Sequence, residues 1–401
     1  MAAGRHALFL THEPPLPMVS GTRVRSLNLI RQLLARGWRV SLFSLVPEAS
    51  PSAADRAELE RLCESVALEP LPAIRARYRR VAGAIAAGRA FHEAYFFSTD
   101  VAARLHRLLD DGLPDVIVAE QLYMYPYVPE ELHDRTVLDA HNVEVRRLES
   151  MASALWPRPR AIVARLQRRA VRRLEQRAVA GVAGVLAVSE PERRYFAPLA
   201  RGAVTLVPNG VDCERWLPRK AFPPDPSMLF TGSLNYSANL DAARYLIEQI
   251  LPLVQHTSSV LTIVGGDPPR RLKEEAFRSP VHIELPGIVA DTRPFFERSR
   301  FMVVPLRFGA GTPLKVLESL ARGVPVLSTS IGCRGFELDA GHDVLIADGP
   351  EQFAASIDRL LEDDELCRSL ARNGRAVAER LYDWRRIGDD LERALDAVVS
   401  A

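Results

Sequence analysis

The chain has 401 residues, 47% of them hydrophobic and 25% charged, which is enough for two domains with their own cores and too apolar for a disordered chain. Lys plus Arg number 52 against 50 Asp plus Glu, so no global field selects nucleic acid or another polyanion, and partners must be read from sites. The scattered Cys63, Cys213, Cys333 and Cys367 form no C-x-x-C pair and indicate neither a zinc site nor a disulfide framework. A reducing cytoplasm is the simple expectation, because MAAGRHALFLTHEPPLP lacks an export-type apolar core and no run of about 18 apolar residues suits a membrane span.

In chain order, strand His6–Leu10, a long loop through Gly21, helix Thr22–Ala35, a stop at Gly37 and strand Trp38–Leu45 predict one β-α-β unit. The helix would turn Val24, Leu27, Ile30 and Leu34 inward. Its loop, PPLPMVSGTRVR, has one glycine and no G-x-G-x-x-G, so a dinucleotide-binding half is not supported. Strands follow at Ser65–Leu68, Asp115–Ala119, Thr136–Asp139 and Gly184–Val188, separated by helical patterns, and this alternation predicts a parallel sheet with crossovers. In LDAHNVEVRR, His141 stands at a strand end, where parallel sheets present functional side chains, beside Asp139, Asn142 and Glu144. A lone histidine there is either structural or catalytic. Residues 158–177 hold eight arginines, with Val163, Leu166, Ala170 and Leu174 expected on the opposite face. They read either as the solvated side of a packed helix or as an attachment to anionic lipid, which a second cluster, Arg75, Arg77, Arg79 and Arg80, would assist. Neither has the interleaved aromatics of a single-stranded nucleic-acid groove.

After strand Ala203–Val207, residues 208–226 contain five prolines and no periodicity, and predict an interdomain linker. A second β-α series runs from Met228–Thr231 through Val260–Val264, Val281–Glu284, Phe301–Val304, Val324–Leu327 and Val344–Ala347. Gly232, Gly265, Gly266, Gly287 and Ile288 follow its first three strands, where glycines let backbone approach a ligand. The most informative stretch is PLRFGAGTPLKVLESLARGVPVLST, residues 305–329: a strand ends, a glycine loop with Gly311 follows, and a helix begins at Thr312 and Pro313. Thr312 is expected to cap that helix and Pro313 to occupy its first position, leaving free N–H groups for a phosphate. Leu314, Leu317 and Ala321 form one face, and Lys315 and Glu318 share the loop-facing turn as a cation for a diphosphate and a carboxylate for sugar hydroxyls. An amphipathic helix, Tyr382–Val399, closes the sequence.

The run Phe308–Thr329 resembles the nucleotide-sugar loop of retaining GT-B glycosyltransferases of family 4, in the subgroup that reads roughly G-G-G-T-x-L-K-x-L-E-A-x-A-x-G-x-P-V-V-S-T. Segments Pro14–Leu42, Leu138–Glu144, Val188–Asp212 and Phe230–Asp241 agree in order and spacing. The resemblance implies an α/β GT-B fold of two Rossmann-like domains: 1–207 on the acceptor side, a 208–226 linker, a nucleotide-sugar domain at 227–381, and 382–401 crossing back. It implies retaining, metal-independent transfer of a sugar from a nucleoside-diphosphate sugar, a substrate rather than a cofactor, to a hydroxyl acceptor, lipid-linked in some relatives, in glycan or glycolipid synthesis. By the same resemblance His141 faces the donor sugar, and Gly21, with Ser20 and Arg25, approaches donor phosphates and acceptor. Gly232, Gly265, Gly287, Ile288, Gly311, Thr312, Leu314 and Glu318 hold the nucleotide, with Glu318 on the ribose.

Two departures stand out. Many relatives carry a glutamate eight residues before Glu318, where this chain has Ala310. Relatives also often place an Arg and a Lys after the first strand of the second domain, whereas TGSLNYSANLDA has neither, leaving Arg307 and Lys315 as the expected diphosphate cations. A GT-B sugar-nucleotide epimerase and a non-catalytic two-domain binding protein remain as alternatives.

Overall fold

The computed structural model describes residues 4–47, 50–154, 159–309 and 311–400. The chain divides into two compact units, Met1–Asn209 with Trp384–Ala401, and Gly210–Asp383.

Unit 1 carries strands β1 (His6–Thr11), β2 (Arg39–Val46), β3 (Ser65–Pro70), β4 (Val116–Glu120), β5 (Thr136–Ala140), β6 (Gly184–Ala187) and β7 (Ala203–Leu206). They form one parallel sheet in the order β3-β2-β1-β4-β5-β6-β7. Helices cover both faces, so the central strands are apolar runs rather than alternating patterns. In β1, Ala7 and Phe9 enter the core on one side, and Leu8 and Leu10 the core on the other. The order reverses between β1 and β4, which makes that crevice the switch point where doubly wound sheets bind ligands.

The predicted helix on the first crossover spans Gly21–Ala35, but its buried face is rotated from expectation. Arg25, Ser26, Leu27, Leu29, Ile30 and Leu33 are buried, whereas Val24 and Leu34 are half-buried. The inward rotation of Arg25 and Ser26 is supported by buried acids, Asp139 and Glu120, which hydrogen-bond them. The final helix, Trp384–Val399, packs Trp384, Ile387, Leu391 and Leu395 into the same core as Leu27, Ile30 and Leu33. Arg5 and Arg36 pair with Glu392, Asp396 and Asp389 at its rim.

Unit 2 carries β8 (Ser227–Thr231), β9 (Val260–Val264), β10 (His282–Gly287), β11 (Phe301–Val304), β12 (Val326–Ser328) and β13 (Leu345–Ile346), parallel in the order β10-β9-β8-β11-β12-β13. Its switch point lies between β8 and β11. Most of the proline-rich segment expected as a linker packs on this unit. Val211 and Cys213 enter its core, Trp216 meets Phe296 edge-on, and the Arg219 guanidinium donates to the Ser299 carbonyl oxygen at 2.6 Å. Prolines forgo backbone donors, so this segment is fixed by side chains spaced without a period. Val211 also pairs with Asp383, its N–H donating to the Tyr382 carbonyl oxygen at 2.8 Å.

Candidate functional site

At the β8/β11 switch point, β11 gives way to the loop before helix Leu314–Ala321. The helix begins later than expected. Pro313, with extended ψ of 114°, is the capping residue in place of Thr312, because the proline's lack of an N–H and its fixed φ suit the entry itself. Thr312 is buried, Gly311 has φ +80°, and Leu314 packs against the core. Ala310 lies outside the described residues.

Lys315 returns from this helix to the end of β8. Its ammonium donates to Asn239 Oδ1 at 2.9 Å and lies 4.3 Å from the centre of the Phe230 ring. Asn239 is itself oriented by a 3.0 Å bond from Nδ2 to the Ser233 carbonyl oxygen. Gly232 makes the space: at φ +148°, a Cβ there would stand 2.6 Å from Lys315 Nζ and 2.7 Å from Asn239 Nδ2. Gly265 is equally constrained, since its Cβ would meet the Gly232 carbonyl oxygen at 2.6 Å, and its N–H donates to Gly287. The ends of β8, β9 and β10 are therefore bare backbone, with Ile288 80% exposed beside them. Burial lowers the Lys315 pKa to about 7 against the pull of Glu318, and raises that of Glu318 to about 7 against Lys315 and Arg215.

Arg307 is differently placed. Asp241 grips its guanidinium with two bonds of 2.6 and 2.9 Å, and Tyr245 underlies it at 4.6 Å. Both residues were expected as diphosphate cations, but the charge of Arg307 is already compensated by Asp241, which sets it apart from Lys315. Asn239 and Asp241, which engage these two cations, lie in the segment Phe230–Asp241 that resembles the family, but nothing in the sequence assigned either of them a role.

In unit 1, His141 follows β5 and both its ring nitrogens are engaged. Nε2 lies 2.9 Å from Asp139 Oδ2, and Nδ1 3.1 Å from Gln121 Nε2. Gln121 holds φ +55°, an uncommon backbone for a non-glycine residue. Asp139 also accepts from Arg25 Nη2 at 2.6 Å, and Arg25 Nη1 donates to the Pro208 carbonyl oxygen and Asn209 Oδ1. Burial opposes ionisation of Asp139, but Arg25 and His141 hold its carboxyl far below the usual range. Arg25 is therefore an internal counter-ion, 1% exposed, rather than the phosphate-facing group expected from the sequence. Gly21 is the first residue of its helix, and Ser20 caps it through Arg23 N while donating to Glu13.

The arginine-rich helix spans Pro159–Gly181, with Arg158 outside the described residues. Ala164, Gln167, Ala170, Val171 and Leu174 form its buried face. Val163 and Leu166, expected inward, are 46% and 70% exposed, because a frame of small residues packs closer to the core. Of the second basic cluster, Arg77 is buried on the Pro47 carbonyl and the Tyr95 ring, and Arg80 donates to Phe97, leaving Arg75 and Arg79 exposed.

Two doubly wound parallel-sheet units, each with its own switch point, are the architecture of the GT-B class. Sucrose-phosphate synthase from Thermosynechococcus elongatus matches with TM-score 0.71 and 17% identity, over 99% of this chain and 100% of that one. Anabaena HepE in complex with UDP and glucose matches with TM-score 0.68 and 13% identity, over 98% and 100%. At these identities the likeness is one of fold. Residues 19–215 match the Glycosyltransferase Family 4 model and residues 225–363 the model for Glycosyl transferases group 1; the chain belongs to the GT-B glycosyltransferases of this family. Among curated relatives, D-inositol 3-phosphate glycosyltransferase of Paenarthrobacter aurescens is 25% identical over 53% of this chain and 57% of its own. An uncharacterized 44.6 kDa protein in the cps region of Klebsiella pneumoniae is 22% identical over 40% and 44%. The chain thus spans about half the length of the curated relatives it matches.

Proposed function

We propose that this protein moves a sugar, with retention of configuration, from a nucleoside-diphosphate sugar to a hydroxyl acceptor in glycan, glycolipid or glycosylated-metabolite synthesis. The observation that carries the reading is Lys315, a half-buried ammonium bonded to a neutral amide and resting on an aromatic face at the mouth of a glycine-lined switch point. A leaving diphosphate supplies the anion this arrangement lacks, and the preorganised cation stabilises charge as it develops. The structural neighbour HepE has been seen with UDP and with UDP-glucose, which favours a uridine donor here. Glu318, three residues along the helix, is the proposed ribose ligand, and backbone at Gly265 and Gly287 the base site. With Lys315 in this role, turnover continues in EDTA.

Incubation with a set of nucleotide sugars, following free nucleoside diphosphate with and without acceptor alcohols, tests the reading. Acceptor-dependent release supports it; isomerised donor without release marks an epimerase, and binding without turnover a ligand-binding protein. We further propose peripheral contact with anionic membrane through helix Pro159–Gly181, where exposed Ile162, Val163 and Leu166 adjoin Arg169 and Arg173. No described helix is long and apolar enough to cross a membrane. Sedimentation with phosphatidylglycerol vesicles, lost in Leu166→Glu, is the expected result.

A further inference from the structure

The switch point of unit 1 holds a second set of buried polar groups that the donor chemistry does not use. β1 ends at Thr11 and β4 at Glu120, so His12 and Glu120 meet at the carboxyl ends of two adjacent parallel strands. Glu120 Oε2 lies 2.6 Å from His12 Nδ1 and accepts from the His12 backbone N–H at 3.0 Å, while Oε1 accepts from Ser26. The imidazole is thereby fixed in orientation. Its Nε2 has no hydrogen-bond partner among the described residues, and the side chain keeps 11% of its surface exposed. Burial opposes charge on both groups, yet each holds the other ionised: His12 is shifted above its ordinary pKa and Glu120 below.

Aromatic rings flank this dyad. Phe96 and Tyr123 meet the imidazole edge-on at 5.2 and 4.9 Å and stack on each other at 4.7 Å. Phe96 continues to Tyr95 at 4.9 Å, and Tyr95 to the exposed Tyr78 at 5.9 Å. One polar anchor at the inner end of a ring track that reaches the surface suits a molecule with a hydroxyl at one end and an apolar body.

We propose that His12 is the acceptor-hydroxyl site of this enzyme, positioned by Glu120, and that the acceptor is an amphiphilic glycoside. Its sugar hydroxyl bonds His12 Nε2 and its apolar aglycone lies along Phe96, Tyr95 and Tyr78. This rests on the glycosyl-transfer reading. The test is saturation-transfer NMR of the full chain with octyl β-D-glucoside and octyl β-D-galactoside below micelle formation, with methyl β-D-glucoside for comparison and a parallel UDP-glucose titration on each sample. Wild type should bind an octyl glycoside more tightly than the methyl glycoside. His12→Ala and Tyr95→Ala should each weaken it about tenfold, as for one lost anchor, with UDP-glucose affinity unchanged. Glu120→Gln should weaken it too and lower the His12 titration midpoint followed by NMR. If His12→Ala does not fold, Glu120→Gln and Tyr95→Ala decide. Octyl binding that is absent in wild type or indifferent to these changes overturns the inference, while failure to bind UDP-glucose overturns the transferase reading instead.

Discussion

Because burial lowers the Lys315 pKa to about 7, this side chain should make donor affinity depend on pH. A diphosphate beside the ammonium favours its charged form, so its pKa rises on binding and a proton is taken up. The protonated fraction falls from about 0.9 at pH 6 to about 0.1 at pH 8, so affinity should drop about tenfold across that span, or ~1.4 kcal/mol. UDP-glucose is the right ligand, since its esterified diphosphate keeps a constant charge over this range. Glu318, pushed up to about 7, titrates over the same range, so Glu318→Gln is the background in which the Lys315 slope is read. Calorimetry at pH 6, 7 and 8, in buffers of different ionisation enthalpy, should show weakening with pH and uptake of about half a proton per Lys315 at pH 7. Glu318→Gln should retain the Lys315 part of the slope, and Lys315→Met should bind weakly and lose it. A flat profile in Glu318→Gln, or an undiminished slope in Lys315→Met, would refute the reasoning.

Gly232→Ala should strain a backbone at φ +148° and push Lys315 from Asn239, weakening UDP by about 1.5–3 kcal/mol for a charged hydrogen bond, read by titration. Arg25→Met should leave Asp139 buried with only His141 for charge, costing about 3–5 kcal/mol in urea unfolding. His141→Ala is expected to lower kcat roughly a hundredfold while leaving UDP affinity near wild type, as befits a group acting after binding. Normal turnover in that variant would make His141 purely structural.

Most strands were legible because buried parallel strands are short apolar runs bounded by breakers; Val260–Val264 and Phe301–Val304 begin and end where the pattern puts them. The switch-point loop was legible for a different reason, its concentration of glycine, Thr312 and Pro313 before an amphipathic turn. Pairings across sequence were not. Nothing in RVR announces that Arg25 turns inward to Asp139, 114 positions away, or that Asp241 will claim Arg307. On the arginine-rich helix periodicity placed Ala170 and Leu174 on the core face correctly but misplaced Val163 and Leu166, where Ala164 and Gln167 are buried instead.

The final helix has a consequence for biogenesis. Trp384, Ile387, Leu391 and Leu395 complete the core against which Leu27 and Ile30 pack, yet they leave the ribosome after all of Gly210–Asp383. Unit 2 is contiguous and can fold as soon as it emerges, whereas unit 1 must wait with an open apolar face on the helix Gly21–Ala35. The part of the chain made first is therefore finished last, and a nascent chain paused anywhere before residue 384 presents that face to chaperones.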